Sequence, residues 1–529
     1  MKLLLTTLSV AVFTAALSHG QPATPAVSDV SRSIVEASAQ ALGGVQRIRD
    51  LQTLRLQGYA QYAYMWGGGN ITGSSDAPQK WIAANELQRA WDFRHDAFQL
   101  KERRNMLFPF AATFGHAYFP IDQVVYQGTA YDRLPDGHTQ RVGFFTQNPL
   151  YVDGARIRTL WSLTNPVALL NALLNGRAKA NGLRQQGKLD IVEVAATPQI
   201  SLQLAIDRET HVPVSVAWST AQNNLGEVTF TTTFTGYMPF DGLKLPMGYN
   251  TTMDFRDIVY FRLYVDGYVV NQPLDDLQPP ASVTQTAAPV DAAPLIEVEK
   301  LADGVWRLTG GTTVVEFADH LTLFELYGSQ ELGQAILAKA NTLVPGKQAT
   351  ELIVSHHHFD HTAGFRVAVA KGMKIYSSRA NEAILREVAQ RPAPHFQDAL
   401  PRGGDFVFVP VDERLRLSDR KTTLDLYHVV SNNHMADAVF AYLPAQRIMI
   451  EGDIGTAASD WQLWPDSYLD NLAYYKITVD RISPVHEKVM THNELLQFID
   501  AGRVRAEQRN ADYRKFNEYL PGYPVFRTR

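Results

Sequence analysis

Ser355-His356-His357-His358-Phe359-Asp360-His361-Thr362-Ala363-Gly364 is the stretch from which the rest of the chain can be read. Just before it, 351–354 is Glu-Leu-Ile-Val, a short apolar run that predicts a buried strand. Beyond it, 362–371 predicts a helix stopped by Gly372. The histidines therefore fall at the carboxyl end of a strand, where α/β folds place their sites. Nine of the fifteen histidines lie between 356 and 492, a clustering that a solvated surface tract does not explain. His356 and His358 are two apart, so in extended chain both point to one side and can chelate one ion. Asp360 and His361 follow where the chain turns into the helix and can reach a second.

Outward from this run, 295–529 alternates strands and helices. Strands are predicted at 305–308, 312–317, 321–326, 374–376, 406–409, 423–430, 439–443 and 447–450, and helices at 329–343, 467–481 and 493–510. These suffice for two sheets with helices outside.

The pattern His-x-His-x-Asp-His closely resembles the metallo-β-lactamase superfamily, and the resemblance extends over about 230 residues. It implies a four-layer αββα sandwich. It also implies seven metal ligands, His356, His358, Asp360, His361, His434, Asp453 and His486. His434 stands in Ser431-Asn-Asn-His434-Met-Ala-Asp437, 73 residues after His361; Asp453 follows in Glu451-Gly452-Asp453 and His486 in Ser483-Pro-Val-His486. Asp453 bridges the metals in this reading, Asp360 binds the second ion and orients the nucleophile, and these two are the catalytic candidates. His492 competes with His486 for the last position. His357 is expected to face away from the metals, and His428 to make a structural hydrogen bond. Tyr442, Tyr474 and Tyr475 are candidate proton donors whose default role is packing. Departures from the usual pattern include Glu325 with Tyr327-Gly328 near the early strand, Met-Ala-Asp after His434, and Glu487.

The chain has no cysteine, so thiolate ligands, disulfides and cysteine nucleophiles are excluded. Imidazole and carboxylate donors suit Zn²⁺, two per chain, with iron or manganese as alternatives. Water shared between two such cations ionises near neutrality, and the implied reaction is hydrolysis of an ester, lactone, thioester or amide. The rival readings are antibiotic hydrolysis of the β-lactamase kind, alkyl-sulfatase activity, persulfide oxidation at a single iron, and a carrier for an apolar ligand with a structural metal.

The rest of the chain differs in texture. Residues 278–294 hold Pro279, Pro280, Pro289 and Pro294 with one charge, Asp291, which predicts an extended linker. Before it, 30–277 predicts a mostly antiparallel β domain with one or two helices, at 31–42 and 165–175. Tyr237-Met-Pro-Phe-Asp241-Gly242-Leu-Lys-Leu-Pro246, with Val270-Asn271-Gln-Pro273, resembles the end of outer-membrane-lipoprotein-sorting domains, which implies an unclosed β-barrel with an apolar concavity. At the N-terminus, Lys2 and an apolar stretch over 3–17 read as a signal peptide, 1–20, and hence a periplasmic or secreted location without stable membrane insertion after cleavage. A formal net charge of −5 gives no reason to expect nucleic acid. The expected partner is a small-molecule substrate, with an apolar one fitting the N-terminal half; nothing in the sequence bears on oligomeric state.

Overall fold

A computed structural model describes residues 27–65, 80–107, 119–145, 150–290, 293–396, 399–432, 435, 437–455 and 465–518. The expected signal segment and His434 lie outside these residues. No helix among them is long and apolar enough to cross a membrane.

The N-terminal half is built on one fifteen-stranded antiparallel sheet. Its first strand, Thr53–Ala63, pairs with the last, Val259–Val270, on one side and with Trp81–Asp92 on the other. Its path begins at Thr139–Val142 and ends at Lys179–Gln186 without closing. Among the described residues four helices accompany it, where one or two are expected: Val27–Ala41, Val45–Arg49, Gly154–Leu163 and Pro166–Leu174. Gly154–Leu163 was hidden because one of its inward positions is charged. Arg158 is buried and donates to the carbonyls of Val124 and Tyr131, so the inner face does not read as apolar. Asp153 and Asn165 cap this helix and the next by accepting from backbone N–H groups of their first turns.

The stretch 278–294 is not a free linker. It contains the short helix Ala281–Thr284, and Val283 is fully buried. Tyr131 donates to the carbonyl of Leu277 just before it. Proline limits this stretch without preventing it from docking, because one apolar side chain has a site to fill.

The C-terminal half holds two sheets. The seven-stranded one runs Val298–Ala302, Val305–Leu308, Thr313–Glu316, Leu321–Phe324, Ala349–Ile353, Lys374–Ser378, Phe408–Val411, and its last four strands are parallel. The six-stranded one runs Arg414–Ser418, Thr423–His428, Val439–Leu443, Ile448–Glu451, Arg481–Pro484, Met490–Thr491. Period-two alternation sorts their side chains into layers. Phe324, Ile353, Leu424, Leu426, Val439 and Ile450 meet between the sheets. Leu323, Leu352 and Ile375 face outward against the helices Gln330–Ala340 and Glu382–Gln390. On the far side, Phe440, Met449 and Ile482 meet the helices Pro465–Tyr475 and His492–Glu518. Helix, sheet, sheet and helix make a four-layer αββα sandwich. The helix expected at 467–481 stops at Tyr475, because Lys476 takes a left-handed φ of 54°, and Arg481–Pro484 is then free to form a strand.

The halves share a core. One apolar cluster includes Leu169, Leu170 and Phe230 of the first half and Ile336, Leu352 and Leu385 of the second. Asn224, fully buried in the turn after Pro213–Gln222, donates to Phe359 O at 2.8 Å and Thr362 Oγ1 at 2.9 Å. Arg391 reaches back to Leu225 O and to Asp254.

Candidate metal centre

The histidine run leaves the parallel strand Ala349–Ile353 at the rim between the two sheets, as its place in the sequence implied. Phe359–Thr362 then forms a single helical turn with His358 at its cap. Other strand ends deliver their residues to the same rim: Glu325 after Leu321–Phe324, Asp453 after Ile448–Glu451, His486 after Arg481–Pro484. Glu325 and Asp453 both hold left-handed backbone, φ 64° and 61°, uncommon for non-glycine residues and costing energy that the surrounding packing must supply. Between Glu451 and Asp453 only glycine fits, since a Cβ at Gly452 would lie 2.6 Å from Ser355 Oγ and 2.9 Å from Glu325 Oε1.

Three groups of donors converge among the described residues, and Glu325, His356 and His361 form one of them. The other two share Asp453: His356, His358 and Asp453 form the first, and Asp360, His361, Asp453 and His486 the second. In the first, His356 Nε2 lies 2.8 Å from His358 Nδ1 and 3.7 Å from Asp453 Oδ2. In the second, His361 Nε2 lies 3.0 Å from His486 Nε2, 3.5 Å from Asp360 Oδ2 and 3.3 Å from Asp453 Oδ2. His486 Nε2 is 3.4 Å from Asp360 Oδ2 and 3.1 Å from Asp453 Oδ1. Six of the seven expected ligands are thus brought together, and the seventh, His434, lies outside the described residues.

The outer contacts set the rings. His361 Nδ1 donates to Glu325 Oε2 at 2.7 Å, which turns Nε2 inward. Ser355 Oγ pairs with His356 Nδ1 at 2.8 Å to the same effect. His357 is buried, with Nδ1 3.0 Å from Asn381 Oδ1. His492 is in none of these groups; its Nδ1 meets the hydroxyl of Tyr468 at 2.7 Å. Tyr442 donates to Thr478 O, Tyr475 to His428 O, and Tyr474 is exposed. The tyrosines beside the cluster are others. Tyr327 stands edge-on to His361 and His486, with ring centroids at 6.2 and 5.2 Å. Tyr64, from the other half, is close enough for Asp360 and Asp453 to act on its hydroxyl.

Electrostatics argue for cations. Asp360, Asp453, Glu325 and Glu451 are all buried here, and the first three face the imidazoles of His356, His361 and His486. Burial lowers the His361 pKa, yet Glu325, Asp360 and Asp453 outweigh it and hold it well above the usual imidazole value. His486 is raised in the same way by Asp453 and Asp360 against its burial. Burial raises Asp360, but His361 and His486 bring it below the ordinary carboxylate value. Burial pushes the Glu451 carboxyl up to about 7; N–H groups of Ile454 and Gly455 oppose this, and Asp453 adds to it. Asp360 Oδ1 is buried with no hydrogen-bond partner. A buried carboxylate oxygen left without a proton donor, beside convergent imidazole nitrogens, fits a metal ion.

Six nitrogen and carboxylate donors meet at one rim of a four-layer αββα sandwich, the arrangement that the resemblance of 356–361 to the metallo-β-lactamase superfamily implies for the C-terminal half. Solved structures similar to it lie over the C-terminal part of the chain. A metallo-β-lactamase from Pontibacter korlensis is 18% identical over 40% of this chain and 99% of its own, with a TM-score of 0.31. A mono-zinc metallo-β-lactamase from Pseudomonas aeruginosa is 16% identical over 40% and 99%, also with a TM-score of 0.31. A stereoselective inverting sec-alkylsulfatase from Pseudomonas sp. is 14% identical over 44% of this chain and 46% of its own, with a TM-score of 0.32. No protein-family profile matches the chain.

The sequence does not mark Glu325 or Tyr64 as site residues. Glu325 stands out there only as a departure from the usual pattern, and that departure is its signal. Tyr64 has none, because it arrives from the other half.

Proposed function

We propose that the chain is a metal-dependent hydrolase of a small-molecule substrate, with two zinc ions held by His356, His358, His434 and Asp453 and by Asp360, His361, Asp453 and His486. The observation that carries this reading is Asp453, whose carboxylate is within ligand distance of two donor groups. When bound, a pair of divalent cations supplies water of lowered pKa and Lewis acidity toward a carbonyl oxygen. The chain's own part is orientation. Glu325 and Ser355 hold the outer Nδ1 atoms of His361 and His356 and so turn their Nε2 atoms inward, and Asp360 Oδ1, otherwise unpartnered, accepts from water or contacts a cation. Tyr327 walls off His361 and His486 from one side. The bonds this suits are those of esters, lactones, thioesters or amides. We place the protein in the periplasm or outside the cell, on the N-terminal sequence, where Lys2 precedes an apolar stretch over 3–17.

The test is hydrolysis of an ester, lactone, thioester and amide panel by zinc-loaded protein, beside Asp360→Ala and His434→Ala. Activity in the wild type that both substitutions abolish, with circular dichroism unchanged, is the expected result. A folded wild type that binds no metal, or binds it and cleaves nothing in the panel, overturns the reading.

A further inference from the structure

A cavity of about 480 Å³ lies in the N-terminal half, between the sheet and the helix Gly154–Leu163. Its volume is that of a small-molecule site, which runs from about 300 to 1,000 Å³. The charged groups on its wall already have partners: Arg104 is bonded to Glu102, Arg158 to Asp132 and two carbonyls, and Arg141 to the carbonyl of Thr286. Much of the remaining lining is Met65, Ile82, Val142, Ile157, Trp161 and Phe230. A guest here meets aliphatic and aromatic surface, with one buried acceptor on the wall, Gln123 Oε1, that has no partner in the protein.

A chain of hydrogen bonds ties this cavity to the histidine–aspartate cluster. Gln222 stands on the cavity wall, and its Oε1 accepts from the backbone N–H of Asn224 at 2.7 Å. Asn224 in turn grips Phe359 and Thr362, which flank Asp360 and His361. The cavity wall and the metal loop are therefore a hydrogen bond or two apart.

We propose that this cavity receives the uncharged, apolar chain of the substrate whose polar end is cleaved at the cluster, an inference that rests on the hydrolase reading. Recognition by apolar area scales with chain length, each buried methylene adding about fourfold. The substrate class is then a carboxylic or thiocarboxylic ester with an aliphatic or aryl chain, rather than a compact polar molecule.

Two measurements on the full chain test this. With p-nitrophenyl esters from acetate to dodecanoate, kcat/KM of the zinc-loaded protein is expected to rise at least about tenfold between acetate and octanoate. Ile157→Trp and Ile82→Trp, which fill the cavity, should flatten that rise. Independently, the uncharged fluorophore N-phenyl-1-naphthylamine should bind metal-free and zinc-loaded protein at one per chain. Decanol should displace it, and both tryptophan variants should lose it. Wild-type binding and its competition by decanol decide the matter even where a variant fails to fold. Ester cleavage with neither chain-length dependence nor probe binding overturns the cavity proposal and leaves the hydrolase standing. Probe binding lost in folded variants, with no ester cleaved, supports the cavity and counts against the hydrolase.

Discussion

Glu325 Oε2 lies 2.7 Å from His361 Nδ1, and neither side chain is exposed to solvent. A buried carboxylate that takes the outer proton of an imidazole fixes its tautomer and raises its basicity as a ligand. Glu325→Gln keeps the shape and weakens the hold. We expect metal affinity to fall about 10- to 100-fold with the fold retained, read by titration of the metal-free protein followed by circular dichroism.

His486 and His492 compete on spacing alone, and the structure puts only His486 among the donors. His486→Ala should lower bound zinc toward one per chain, and His492→Ala should leave it at two. Metal analysis of dialysed protein checks both. Full zinc in His486→Ala would show that the last ligand lies elsewhere.

Asn224 joins the halves through two hydrogen bonds to the metal loop. Asn224→Ala removes the donor and leaves the buried carbonyl of Phe359 unsatisfied. The expected cost is about 1–3 kcal/mol, read from the midpoint of urea unfolding at constant slope.

Glu351 lies in the strand that presents the histidine run, accepting from Thr322 Oγ1 at 2.9 Å, Tyr376 Oη at 2.8 Å and Lys374 Nζ at 3.2 Å. Burial raises its pKa, but these three donors outweigh it and leave the carboxyl below its ordinary value. A depressed folded value stabilises the protein fully above the unfolded glutamate pKa of about 4.3, and the gain disappears as pH falls through the folded value. Glu351→Gln should therefore destabilise the protein at pH 7 and shrink that difference below about pH 4. Thermal melts across pH 3 to 7 show whether the two curves converge.

What could be read in advance followed from short-range pattern. The run 356–361 carries its own spacing, and alternating apolar residues mark strands such as Val439–Leu443 whatever their neighbours. Asp453 and His486 came into view because strand ends in this fold recur in order. Glu325 lies 36 residues before His361, and no local period announces that one strand end will support the next. The helix Gly154–Leu163 was missed because Arg158 satisfies its charge by donating to backbone carbonyls, an arrangement that has no signature in residue order. Tyr64 depends on how two differently textured halves meet, which neither texture encodes.

The apolar cluster that runs from Leu169 and Phe230 into Ile336 and Leu385 crosses the boundary that composition suggested. Cutting the chain there would strip water-averse surface from both pieces at once. Calorimetry should accordingly find the two halves melting in a single transition, and a protease should find no stable fragment to leave behind. A sequence change deep in the first half can then alter the second without touching it, because both draw on one store of cohesion.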